Sequence, residues 1–193
     1  MKYPDNSTYR YISLFTGAGG LDIGFKVAGF VGLLASDAMP DAKRTFEANF
    51  PGEPYLLADI RKLAVSQVKQ HIGEERVDAI IGGPPCQGFS NMGNKNSADP
   101  TNLLFENYVK IVDAFRPSCF LFENVKGLRI MFEGRYFDMV VNSFLSIGYN
   151  LHYALLDSSN YGVPQKRERV FIFGSFFNHC TGQQRIARPS SAQ

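Results

Sequence analysis

The chain lacks most of the residues that commonly announce a site. Among its 193 residues there are 3 histidines and 3 cysteines. The cysteines, Cys86, Cys119 and Cys180, stand at no metal-ligand spacing. An odd, scattered set suits a reducing compartment better than a disulfide framework. His71, His152 and His179 fall in no motif, which leaves a Cys–His hydrolase without its base. Charge is nearly balanced, 20 Lys and Arg against 18 Asp and Glu. Composition therefore does not announce nucleic acid, although a basic patch could still be local. No apolar run approaches the roughly 20 residues of a membrane helix. The polar segment 1–10 has no apolar core of the kind a secretory signal carries. Internal repeats are absent too. What remains is a cytoplasmic globular domain, and 45% hydrophobic content suffices for one core in a chain too short to expect two.

What is present is an alternation. Apolar runs bounded by turn residues predict strands over 11–15, 32–36, 55–57, 77–81, 118–122, 150–156 and 170–173. Apolar residues at helical spacing predict helices over 21–28, 41–49, 62–72, 102–115 and 135–147. A Gly-, Asn- and Ser-rich loop over 82–100 is long for a compact domain, and such loops tend to be functional. Strands alternating with helices predict an α/β doubly wound, Rossmann-like sheet with helices on both faces. Ligands bind such sheets beyond the carboxyl ends of the strands. The unusual residues fall there: Gly17-Ala18-Gly19-Gly20 after the first strand, Asp37 after the second and Asp59 after the third. Pro84-Pro85-Cys86 follows the fourth, and Glu123-Asn124-Val125 the fifth.

The glycines let backbone approach a ligand at a strand-to-helix turn. Asp37 stands where a carboxylate accepts bonds from ribose hydroxyls. Asp22, not glycine, lies three residues after Gly19, so the pyrophosphate-binding pattern is broken. A nucleoside without pyrophosphate fits better, and S-adenosyl-L-methionine is the obvious one. The other reading is a Gly-rich turn with a capping Asp. Two prolines before Cys86 stiffen its turn, which suits a presented nucleophile, although a lone cysteine is often an inert core residue. Glu123 follows Phe120-Leu121-Phe122, a neighbourhood that raises a carboxyl pKa toward general-acid use. A surface Glu at a strand end is the plain alternative. The run Gln165-Lys166-Arg167-Glu168-Arg169 offers cations for phosphates or for Glu123, or is a solvated face.

Taken together these stretches resemble the DNA (cytosine-5) methyltransferases. The matching blocks, in the family's order, are Phe15 to Gly20, Pro84 to Ser90, Glu123-Asn124-Val125 and Gln165 to Arg169. Asn49-Phe50 and Tyr161-Gly162-Val163-Pro164 add to them. The resemblance spans 11–175, a single catalytic domain between a polar segment 1–10 and a tail 176–193 expected to be disordered. It implies that Cys86 attacks C6 of a flipped-out cytosine while Glu123 binds its N3 edge. Arg167 would orient Glu123 and the base, supported by Arg169. Gln87, Ser90 and Gln165 would face DNA. For the cofactor it implies Phe15 on adenine and the Gly17, Gly19, Gly20 and Leu21 turn at the methionine part. Asp37 would take the ribose, where the family more often has Glu, and Asp59 the adenine amine. Ile60, Pro85 and Leu104 would complete the pocket, with Ala38 where many members carry a larger residue.

The implied partner is double-stranded DNA, with no membrane and no metal; a bacterial protein would be nucleoid-associated. Family members continue past the Arg167-Glu168-Arg169 strand into a target-recognition domain and a last block, neither of which this sequence carries. A split enzyme completed by a second polypeptide, a truncated form and a non-catalytic remnant are the competing explanations. The first predicts an exposed apolar surface near the last strands. An RNA (tRNA) cytosine methyltransferase shares the chemistry. An NAD-dependent oxidoreductase shares the fold class but not the glycine spacing.

Overall fold

A computed structural model of the protein describes residues 8–85 and 104–176. Cys86, Gln87 and Ser90, and the tail beyond 176, lie outside the described residues. Among those described, seven strands form one sheet: β1 (Arg10–Leu14), β2 (Val31–Asp37), β3 (Tyr55–Leu57), β4 (Ala79–Gly82), β5 (Cys119–Val125), β6 (Asn150–Asp157) and β7 (Glu168–Ser175). Their spatial order is β3-β2-β1-β4-β5-β7-β6. β1 to β5 run parallel, and β7 is antiparallel to both neighbours. The helices are α1 (Gly20–Val27), α2 (Pro40–Asn49), α3 (Val65–Ile72), α4 (Leu104–Phe115) and α5 (Arg135–Ser146). The strand order reverses direction between β1 and β4, which opens a crevice at their carboxyl ends.

β1 and β4 are buried almost throughout, as central parallel strands covered on both faces must be. On one face α4 and α5 bring Tyr108 and Phe144 against Phe120 and Phe122 of β5. Phe120 and Phe144 stack with centroids 4.1 Å apart. On the other face Leu21 and Phe25 of α1 pack on Tyr11, Ala79 and Ile81. The Tyr108 hydroxyl donates to the carbonyls of Ile80 and Leu121, fastening α4 to β4 and β5 at once.

Three of the boundaries that differ from the sequence expectation have a reason in pairing or in a turn. β7 starts at Glu168, because Glu168 pairs with Asp157 and Arg169 with Val125. The basic run therefore enters the sheet rather than preceding it. β5 extends to Val125, which places Glu123 inside the strand, opposite Phe171. α3 begins at Val65, since Lys62 and Leu63 are held in a turn by the carbonyls of Asp59 and Ile60. Two short 3-10 turns, Lys126–Arg129 and Met131–Gly134, precede α5 with no clear sequence signal.

On the α1 side of the sheet, directly paired residues of β5, β7 and β6 stay partly or fully exposed. They include the pairs Leu121 and Phe173, and Phe171 and Ala154, with Val125 and Leu156 on either side of Arg169. Phe173 retains 39% of its surface and Val125 36%. Among the described residues no helix is long and apolar enough to cross a membrane.

Replacing Tyr108 with Phe removes the donor to two carbonyls in a fully buried position. The expected loss is about 1–2 kcal/mol of unfolding free energy, read from urea denaturation with an unchanged slope.

Candidate active site

A cleft of ≈ 340 Å³ opens at the carboxyl ends of β1 to β4. Phe15, Asp37, Asp59, Ile60, Pro85 and Leu104 all line it, six residues expected at a cofactor. Ala38, Met39, Arg61 and Gly83 complete much of the wall. The volume lies within the range of small-molecule sites.

The turn after β1 is held by two carboxylates. Asp22, buried at the first turn of α1, accepts from the hydroxyls of Ser13 at 2.9 Å and Thr16 at 2.6 Å. Asp37 accepts from the Gly17 N–H at 3.0 Å through one oxygen and from the Met39 N–H at 2.9 Å through the other. Between them Phe15 sits at φ 55, a left-handed conformation that a bulky side chain adopts only under constraint. Asn49 donates to the Ala18 carbonyl at 2.9 Å and fixes the far side of the turn.

The glycines divide their roles. A Cβ at Gly19 would stand 2.2 Å from the Phe50 ring, so this position is glycine to admit α2's aromatic side chains. Gly19, at φ 88, and Gly17, at φ 55, both take a left-handed backbone, Gly17 without such crowding, and Gly20 opens α1. None of the three lines the cleft with a side chain. Leu21, expected at the same turn, packs its side chain into the cluster of Tyr11, Ala79 and Ile81 on the α1 side of the sheet, because α1 must bury an apolar stripe there.

Asp59 is engaged by Arg61. Its Oδ1 accepts from the Arg61 N–H and Nε at 3.0 Å each, and its Oδ2 from Nε at 3.0 Å and from Nη2. These bonds hold the Asp59 carboxyl below its ordinary pKa. Nothing in the sequence pattern marked Arg61.

A second group lies across Gly83. Arg169 Nε pairs with Glu123 Oε1 at 3.0 Å, both side chains 22% exposed. Burial pushes the Glu123 pKa above its ordinary value, against the pull of Arg169 and Arg167. Its other oxygen would stand 2.7 Å from a Cβ on Gly83. Asn124, 5% exposed, donates to the Pro84 carbonyl at 2.8 Å. The Glu-Asn pair of β5 thus grips the segment that leads into Cys86. Asn124 and Gly83 had been read only as parts of motifs.

The two arginines exchange their expected parts. Arg169 makes the direct contact because it faces Val125, two residues along the same strand face from Glu123. Arg167 is exposed and acts on Glu123 through space, while its N–H donates to Asp157 Oδ1. Gln165 is exposed in the loop between β6 and β7, its carbonyl accepting from the Ser158 hydroxyl. His71 is bonded to the Gln67 carbonyl and His152 lies on β6, both away from the cleft. Among the described residues no cluster of His, Cys, Asp and Glu is arranged to hold a metal.

This strand order, with a nucleoside-sized cleft at its reversal point, is the fold of S-adenosylmethionine-dependent methyltransferases. Within that class the chain belongs to the C-5 cytosine-specific DNA methylase family, whose model matches residues 9–180. It is 39% identical to the type II methyltransferase M.DdeI of Desulfomicrobium norvegicum, over 93% of this chain and 43% of that protein. M.AquIA of Picosynechococcus is 34% identical, with 86% of this chain and 71% of that protein covered. The solved structure of a prophage-encoded DNA modification methyltransferase of E. coli superimposes with a TM-score of 0.77 at 32% identity. It covers 87% of this chain and 47% of that one. The chain spans less than half the length of M.DdeI and of the prophage enzyme.

Two outcomes follow from the Glu123 geometry. Arg169→Gln removes the nearest positive charge, so the Glu123 pKa rises further, measured by carboxyl carbon NMR titration. Gly83→Ala forces the Glu123 carboxylate from its seat, with a stability loss of about 1–3 kcal/mol and a changed Glu123 titration.

Proposed function

We propose that this chain carries the cofactor-binding and catalytic portion of a DNA (cytosine-5) methyltransferase, with residues 11–175 as one catalytic domain. The carrying observation is adjacency. Gly83 lines the cleft and also abuts Glu123, so one backbone residue separates the cofactor-sized space from the Glu123–Arg169 pair. Cys86 follows Pro85 of the cleft wall directly in the chain.

The residues present fit an adenosyl group. Phe15, Ile60, Pro85 and Leu104 offer apolar faces to a purine. Asp37, held by two backbone N–H groups, keeps acceptor positions for ribose hydroxyls, and Asp59 on the same wall is the carboxylate for an exocyclic amine. The Gly17-to-Gly20 turn presents backbone toward the remaining part. S-adenosylmethionine, when bound, supplies an electrophilic methyl group.

The Cys86 thiolate adds to C6 of an extruded cytosine, and electron density moves to C5. Glu123, with its raised pKa, shares a proton with N3 as charge develops there. Arg169 holds the Glu123 carboxyl in place, and Arg167 adds positive charge from the rim. C5 would take its methyl from the donor, when bound, which would leave as the neutral thioether S-adenosylhomocysteine; a base would then remove the C5 proton, and the C–S bond would break to return the Cys86 thiolate. Gln87, Ser90 and Gln165 contact the DNA backbone.

DNA reading is completed by residues beyond this sequence, on a longer form of the chain or on a second polypeptide. The exposed β5-β7-β6 face supports that reading, since an apolar strip of this kind is covered in a working assembly. The enzyme acts in the cytoplasm, on the nucleoid if bacterial.

The test is a denaturation-resistant adduct with duplex DNA carrying 5-fluorocytosine, formed in the presence of S-adenosylmethionine. A matching RNA serves as the second arm. Adduct with DNA alone is expected, and adduct with RNA alone would reassign the substrate. Cys86→Ser abolishes the adduct and leaves S-adenosylhomocysteine binding intact. Asp37→Ala weakens that binding about tenfold, roughly 1.4 kcal/mol, by calorimetry. Absence of S-adenosylhomocysteine binding by the native chain would overturn the assignment.

A further inference from the structure

Asp59 is assigned the exocyclic amine above, yet Arg61, bound to it on the same cleft wall, has no part in that account. A carboxylate oxygen has two acceptor positions in its plane. Oδ1 of Asp59 uses both, on the N–H and Nε of Arg61. Oδ2 receives Nη2 and shares Nε. The carboxylate is therefore close to saturated by one residue. The backbone N–H bond belongs to the turn over 59–62 and stays. The guanidinium is different. Its side chain is 52% exposed against 25% for Asp59, and it can swing into water without leaving a buried charge behind.

We propose that Arg61 is a specificity-setting latch on the cleft. Its guanidinium occupies the carboxylate positions that a purine's exocyclic amine uses, and the purine enters by displacing it. This rests on the reading of the cleft as an adenosyl site with Asp59 at the amine. Exposed ion pairs contribute little, whereas a hydrogen bond to a free carboxylate in a cleft contributes more, so the exchange runs forward at a modest cost in affinity.

The latch also sets which purine is accepted. A keto oxygen in place of the amine meets guanidinium donors when Arg61 is present. Without Arg61 it meets a bare carboxylate, acceptor against acceptor. Arg61 therefore narrows the preference for an amino purine over a keto purine, and its removal widens it.

The experiment is calorimetry of the full chain with S-adenosylhomocysteine and S-inosylhomocysteine, for the native protein, Arg61→Met and Asp59→Ala. Methionine keeps an apolar stem and removes the fork, and thermal denaturation checks that each variant is folded. Arg61→Met is expected to bind S-adenosylhomocysteine about two- to fivefold more tightly, and to raise the adenosyl-to-inosyl affinity ratio at least as much. Higher ionic strength tightens S-adenosylhomocysteine binding by the native protein, because it screens the pair, and leaves Arg61→Met unchanged. Weaker or unaltered binding by Arg61→Met, with Asp59→Ala impaired, overturns the latch alone. Unaltered binding by Asp59→Ala overturns the amine assignment and the latch with it.

Discussion

The site depends on one hydrogen bond, from the Asn124 amide to the Pro84 carbonyl. Two consecutive prolines donate nothing, so the segment after β4 cannot be fixed by its own N–H groups at 84 and 85. It can be fixed only through its carbonyls, and a buried side chain of the neighbouring strand does this. With Pro84 held, Gly83 is pressed between the cleft and Glu123, and Pro85 becomes a wall of the cleft. β4 and β5 run parallel and in register from Ala79–Cys119 to Gly82–Phe122, so the next residues of each strand meet where they must. Tyr108 locks the same two strands from the helical layer.

Three carboxylates at this edge are managed in three ways. Asp37 is satisfied by backbone N–H groups, which orient it without cancelling its charge. Asp59 is bound to a flexible cation that solvent can reclaim. Glu123 is half-withdrawn from water and opposed by one close arginine, so burial and attraction pull its proton affinity in opposite directions, and burial prevails. The difference follows from what each strand end has beside it: a turn, a mobile side chain or a buried partner strand.

Much of this was legible in the chain because local chemistry announces strand ends. Glycines, prolines and acidic residues after apolar runs marked the cleft, and Asp37, Asp59 and Pro85 of those so marked do line it, while Phe15, Ile60 and Leu104 were expected there only from the family resemblance. What pairing decides was not legible. No local signal says that β7 inserts antiparallel between β5 and β6, and that insertion puts Arg169 rather than Arg167 on Glu123. Leu21 was drawn to the cofactor by its place beside the glycines, whereas the amphipathic phase of α1 turns it to the core. Asp22 was noticed only as a broken glycine pattern. Its buried bonds to Ser13 and Thr16 explain why the turn needs an acid there. Arg61 carried no pattern, and Asn49 was read only as part of the Asn49-Phe50 stretch, because their partners are set by turns rather than by spacing.

The position of β7 ties synthesis to competence. Among the described strands β7 emerges from the ribosome last, yet it lies inside the sheet, with β5 on one side and β6 on the other. Until residues 168–175 are available, β5 presents an open edge and β6 has no partner, and unpaired edges are the places where chains associate wrongly. The same late strand delivers Arg169 to Glu123. A nascent chain can therefore assemble its cleft from β1 to β4 early, while Glu123 acquires its partner only when the sheet closes. Closure of the sheet and the pairing of Glu123 with Arg169 are one event.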